Sequence, residues 1–148
     1  MDEQQYNRRK QLAYESKQRS MEKRMNRQKS LRVGYDLIDK SYNYKEGVIK
    51  INIINSIAHE ICKCITCYNL KKENKCFYTE LIFKNNAGRA DIYLPKELKV
   101  IEILHTETEN KLESKKIKYP PEVEILYFHT KDILKNNPII GLAKPKSI

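Results

Sequence analysis

The chain predicts an α/β domain built on a central mixed four-stranded sheet flanked by helices, preceded by a basic N-terminal helical arm. Three observations predict it: apolar residues with a helical period over 51–68, four short β-favouring runs further on, and one capped helical stretch between the third and fourth runs. At 148 residues the length suits one domain with an appended arm. The arm is assigned to residues 1–34 and the single α/β domain to 35–148.

The arm is polar nearly all round, with ten basic residues against four acidic ones over 1–33. Gln, Lys, Arg, Glu and Met favour helix, but Leu12, Tyr14, Met21 and Met25 are too sparse to form a core stripe. By itself it is expected to fray or stay partly disordered, and to order on phosphates through counterion release. Arg8, Arg9, Lys10, Arg19, Arg24, Arg27 and Arg32 are its candidate nucleic-acid contacts, with Arg89 in the domain. Residues 34–47, with Gly34 and Gly47, form the junction.

In the first helix Ile54, Ile57, Ala58, Ile61, Ile65 and Tyr68 fall on one arc at ~100° per residue, so this face is expected to pack on the core. Residues 76–83 (CFYTELIF) read as a strand. Asn85-Asn-Ala-Gly88 is a hairpin signal, and 89–94 (RADIYL) return as the second strand. Residues 100–105 (VIEILH) are apolar on both faces apart from Glu102, which predicts a central third strand. Thr106 and Glu109 have capping-box spacing, so a helix is expected over 107–119, stopped by Pro120-Pro121. Residues 123–128 (VEILYF) make the fourth strand, and 131–136 a short helix before a C-terminal tail.

The whole chain carries 29 Lys and Arg against 19 Asp and Glu, a net +10, so its long-range field favours polyanions and DNA is the expected partner. No apolar run is long enough to span a bilayer, and the start shows no signal-peptide stretch, so no membrane association and an intracellular, cytoplasmic location are expected. Abundant Lys, Ile, Asn and Tyr with only four glycines hint at an AT-rich coding genome, as in a virus or mobile element, in which case the location is the host cell. Those glycines are too widely spaced for a phosphate loop or a dinucleotide fingerprint.

Three acids interrupt strands that otherwise want burial: Glu80, Asp91 and Glu102. A buried carboxylate needs a counter-charge or a cation. Each could face an exposed edge or pair with a basic side chain. Alternatively the strands splay where Asp91 and Glu102 converge, forming a hard-oxygen site for Mg²⁺ or Mn²⁺ suited to phosphodiester hydrolysis.

The αβββαβ order, with Asp91 in GRAD and Glu102 in IEIL, resembles the PD-(D/E)XK nuclease superfamily, the restriction-endonuclease-like hydrolases, over about 48–128. The resemblance implies a metal-dependent DNA nuclease. It makes Asp91 the principal metal ligand, Glu102 the second and the Ile103 carbonyl a third, with Glu60 preferred over Glu80 as the assisting acid. It also implies a homodimer. The sequence departs from the family where the motif lysine should stand, because that position is Leu104. Some members move the lysine to the following helix, where this chain has Lys111, Lys115 and Lys118 on one face, with Lys111 nearest the strand exit. Either a migrated lysine serves, or the chain is an inactive relative that still binds DNA.

Cys62, Cys64, Cys67 and Cys76 leave three alternatives: reduced structural thiols, a disulfide from Cys64 or Cys67 to Cys76, or a zinc-stabilised DNA-binding regulator. On a continuous helix Cys64 and Cys67 lie ~200° and ~140° round from Cys62, which disfavours one shared ion. His59, His105 and His129 form no recognisable pattern, although His105 follows the Glu102 strand closely.

Overall fold

The computed structural model describes residues 3–86, 88–106 and 109–136. Helix α1 (Glu3–Asp36) is followed by α2 (Ile57–Lys72), β1 (Tyr78–Ile82), β2 (Arg89–Leu94), β3 (Lys99–Leu104), α3 (Glu109–Lys116), β4 (Glu124–His129) and α4 (Thr130–Asn136). The strands form one mixed sheet in the order β1-β2-β3-β4. The first two pairings are antiparallel and the third is parallel, from Lys99 opposite Glu124 to Leu104 opposite His129. The expected α/β class and four-stranded mixed sheet are both present, and β3 is central with residues 100–104 all buried.

Helix α1 runs unbroken to Asp36, into the first residues of the expected junction. Its last turn is seated by Gly34, where a methyl group would fall 1.8 Å from the Pro95 carbonyl oxygen, and whose own carbonyl accepts from Tyr93 Oη at 2.9 Å. The chain then runs along the β1 edge: Asp39 N donates to the Ile82 carbonyl, Lys84 N to that of Leu37, and Ile82 N to Tyr44 Oη. An otherwise open strand edge is thereby closed.

Helix α2 corrects the sequence reading. It begins six residues later than expected, because Ser56 is its N-cap and accepts from His59 N at 3.2 Å. The arc that was expected to pack inward is not the buried one: Ile57 and Tyr68 are 75% and 63% exposed and Ala58, Ile61 and Ile65 only half-buried, while His59, Glu60, Cys62, Lys63, Cys67 and Leu70 are buried. Ile54 precedes the helix altogether. The inward arc supplies Cys62, Cys67 and Leu70 to a cluster with Phe77, Ile92, Leu94, Ile101 and Ile103. Its polar members are accepted because they pair: among the described residues no buried side-chain nitrogen or oxygen lacks a hydrogen-bond partner.

A second cluster joins Ile38, Leu81, Phe83, Ala90, Tyr93, Val100 and Tyr119. β1 and β2 form the expected antiparallel hairpin, joined through a 3₁₀ turn (Lys84–Asn86) with Asn85 at φ 62°, and Ala87 of the expected signal lies outside the described residues. Helix α3 ends at Lys116, short of the expected 119, and its expected start at 107 and 108 lies outside the described residues. Residues beyond 136, the expected tail, lie outside them as well. None of the described helices is long and apolar enough to cross a membrane.

Candidate functional site

The β2–β3 register pairs Ile92 with Ile101 and Leu94 with Lys99, which puts Asp91 opposite Glu102 one step further along. There the Asp91 side chain takes over from the ladder: its Oδ2 accepts the Ile103 N–H at 2.9 Å. The same oxygen lies 3.1 Å from His59 Nε2, and among the described residues no hydrogen bond falls on Oδ1. Ile103 thus meets Asp91 through its amide.

Glu102 is fully buried. Its Oε2 accepts from Lys115 Nζ at 2.7 Å, and Tyr119 Oη lies very close to Oε1. Burial raises the Glu102 pKa, the neighbouring Asp91 charge adds to that, and Lys115 and Tyr119 only partly oppose it. The Tyr119 hydroxyl also lies 2.8 Å from the Arg89 carbonyl, so one phenolic proton faces two acceptors. Both contacts are satisfied together when Glu102 carries a proton, in agreement with the direction of its pKa. Tyr119 reaches this place because Gly88 gives way: a methyl group there would stand 2.8 Å from the ring.

Beside this pair lies a second knot of charge. Lys63, fully buried, is 2.8 Å from Glu60 and 2.7 Å from Glu80. Burial opposes its charge, but the two carboxylates more than compensate and raise its pKa. For Glu60, burial is outweighed by Lys63 and by hydrogen bonds from Asn55 and Asn52, and its pKa is lowered. Glu80 also accepts from Asn52 Nδ2 and pairs with Arg89 Nε at 3.3 Å. It holds φ 51° within β1, a left-handed conformation that costs on the order of 1–2 kcal/mol and falls at this site.

His59 links the two knots, with Nδ1 3.2 Å from Glu60 and Nε2 3.1 Å from Asp91. A carboxylate at each ring nitrogen calls for an imidazolium with both N–H groups present. Burial lowers its pKa, and the hydrogen bonds and charges of Asp91 and Glu60 reverse that to a net rise.

Asp91, His59, Arg89, His105 and Lys115 line a cleft of about 410 Å³. His105 is held through Nδ1 by Thr130 Oγ1 at 2.9 Å. The structure thus brings Asp91, Glu102, Glu60, Glu80, Arg89 and Lys115 into one neighbourhood. Of the two favoured lysines it is Lys115 that reaches Glu102, whereas Lys111 is exposed one helical turn earlier. The arm residues Arg8, Arg9, Lys10, Arg19, Arg24, Arg27 and Arg32 are all exposed on α1, and at helical spacing they point to several sides, not to one stripe.

Sequence reasoning missed Lys63, Tyr119 and the bridging role of His59. A signal existed for Lys63, since it stands three residues after Glu60 on one helical face. The four cysteines are free, with Cys62 and Cys67 buried. Among the described residues no three His, Cys, Asp or Glu side chains gather as a metal cage. Of the two carboxylates expected to take Mg²⁺ or Mn²⁺, Asp91 lines the cleft, whereas Glu102 is fully buried with both oxygens engaged by Lys115 and Tyr119. Compared with protein-family models, curated proteins and solved structures, the chain matches none.

Proposed function

We propose that the protein is a Mg²⁺- or Mn²⁺-dependent DNA nuclease, a divergent relative of the PD-(D/E)XK superfamily. The observation that carries this reading is the meeting of Asp91 and Glu102 where β2–β3 pairing gives out, with a lysine from the following helix 2.7 Å from Glu102. Lys115 supplies the cation that Leu104 cannot. The net charge of +10 and the exposed basic helix α1 support a nucleic-acid substrate.

In this reading Asp91 and Glu102 hold the metal, which when bound polarises the scissile phosphate and lowers the pKa of the attacking water. His59 fixes the Asp91 carboxylate from one side and the Ile103 amide from the other. Tyr119 aligns Glu102, while Lys115, part-exposed at the cleft, orients the water and offsets charge on the phosphorane oxygens. Arg89, at the cleft rim, contacts a flanking phosphate. Glu60 and Glu80 act through Lys63 and His59, so they are positioning residues.

The test is cleavage of labelled linear, branched and single-stranded DNA with Mg²⁺, Mn²⁺ or EDTA. Wild type is expected to cut only with metal, Asp91→Ala to lose cutting by a factor of about 10³ or more, and Lys115→Ala by about 10² or more. Lys111→Ala is expected to stay within about twofold of wild type. Cutting retained by Asp91→Ala overturns the site. A second reading, a non-catalytic DNA-binding protein on the same fold, is favoured by the engagement of both Glu102 oxygens by Lys115 and Tyr119. It takes over if wild type binds DNA and never cuts it.

A further inference from the structure

The outward face of α2 is only partly covered within the chain: Ile57 and Tyr68 are exposed, Ile61 and Ile65 are half-buried, and Lys72 Nζ stands 5.8 Å from the Tyr68 ring centre. Ile57, Ile61, Ile65 and Tyr68 run along it at i, i+4, i+8 and i+11, and the loop before the helix adds Ile51, Ile53 and Ile54. Ile53 and Ile54 are 94% and 87% exposed, and Ile51, Ile53, Ile57, Ile61 and Ile65 line an open groove together with Cys64. Isoleucines exposed together in this way form an apolar patch of the kind that marks an interaction surface.

We propose that this face pairs with the same face of a second copy of the chain, α2 against α2 across a two-fold axis. Two observations favour that occupant. The stripe is straight and lies on one helix, so it is self-complementary when two helices cross with their i±4 ridges interleaved. It carries no charged side chain from Ile57 to Tyr68 on its outward arc, which makes it a neutral window in a chain of net charge +10. Two such chains can meet there without juxtaposing like charges, whereas an acidic partner or a nucleic acid would be drawn to the basic surface instead.

This pairing stands whether or not the protein cleaves DNA. It has a structural consequence for the site all the same. His59, Glu60 and Lys63 lie on the other side of α2, about one helix width (~10 Å) behind the seam. Asn52 and Asn55, which hold Glu60 and Glu80, alternate with the seam isoleucines in the same loop. Each copy would thus buttress the loop that orders its partner's acidic cluster.

Sedimentation velocity on the full chain over a wide concentration range tests the proposal. Wild type is expected to show a species of twice its 17.6 kDa mass. Ile53→Glu with Ile57→Glu, both at exposed positions, is expected to raise the dissociation constant by about 100-fold or more with an unchanged far-UV circular dichroism spectrum. Should that variant lose its helical signal, Tyr68→Lys at the far end of the stripe decides, with an expected weakening of about 10-fold. A wild type that stays monomeric, or a dimer that survives these substitutions in a folded chain, overturns the proposal.

Discussion

The two faces of α2 invert the usual amphipathic arrangement. The face turned to the sheet buries His59, Glu60 and Lys63 beside Cys62, Cys67 and Leu70, whereas on the other face Ile57 and Tyr68 are exposed and Ile61 and Ile65 half-buried. The inward charges survive because each meets an opposite one across the strands: Lys63 meets Glu60 and Glu80, and His59 meets Glu60 and Asp91. The comparison teaches that apolar patterning marks what must leave water, not where it goes. A helix can turn charged side chains inward where the sheet supplies opposite charges, and leave apolar ones at the surface.

The largest effect expected from breaking this arrangement is on stability, through Lys63. Lys63→Ala strands two nearly buried carboxylates, which costs about 3–5 kcal/mol and lowers the thermal midpoint by roughly 10 °C or more. Thermal unfolding at neutral pH checks it; a loss below about 1 kcal/mol would mean the pair is slack and hydrated.

Glu102 sharpens the comparison in the opposite direction. Its folded-state pKa is raised, so ionised Glu102 costs stability. That cost is absent below the unfolded pKa, near 4, grows as pH rises to the folded value and stays in full above it. Glu102→Gln is therefore expected to raise the thermal midpoint of the metal-free protein by a few degrees at neutral pH and to have little effect near pH 4. If Asp91 and Glu102 hold the metal as proposed, added Mn²⁺ raises the wild-type midpoint and Glu102→Gln abolishes that shift. A Glu102 kept for stability alone would give a lower midpoint when replaced.

The smallest effect on the folded domain is expected from removing the arm. Deleting residues 1–30 takes away nine Lys and Arg residues and leaves the Gly34 contact with Pro95 and Tyr93 in place. The midpoint should move by less than about 0.5 kcal/mol equivalent. The slope of log affinity for DNA against log salt should flatten by about 3 or more, since each phosphate contact contributes roughly 0.9. An unchanged slope would show that the arm does not touch the backbone.

Sequence alone determined much about this protein. The element order, the four strands, the central place of β3 and the net charge were all legible, because strand periods and turn residues act locally and charge is a sum. So was the oddity of Asp91 and Glu102, acids in runs that otherwise avoid water. Only the tertiary structure decided which face of α2 is buried, because periodicity defines a face but the choice depends on what the opposite sheet offers, here Glu80 and Asp91. It also decided that Lys115 and not Lys111 meets Glu102, and that Tyr119, which was expected only to end a helix, reaches the same carboxylate. Those contacts join separate elements, and their distances depend on where α3 ends and on the room left by Gly88, quantities that no local pattern encodes.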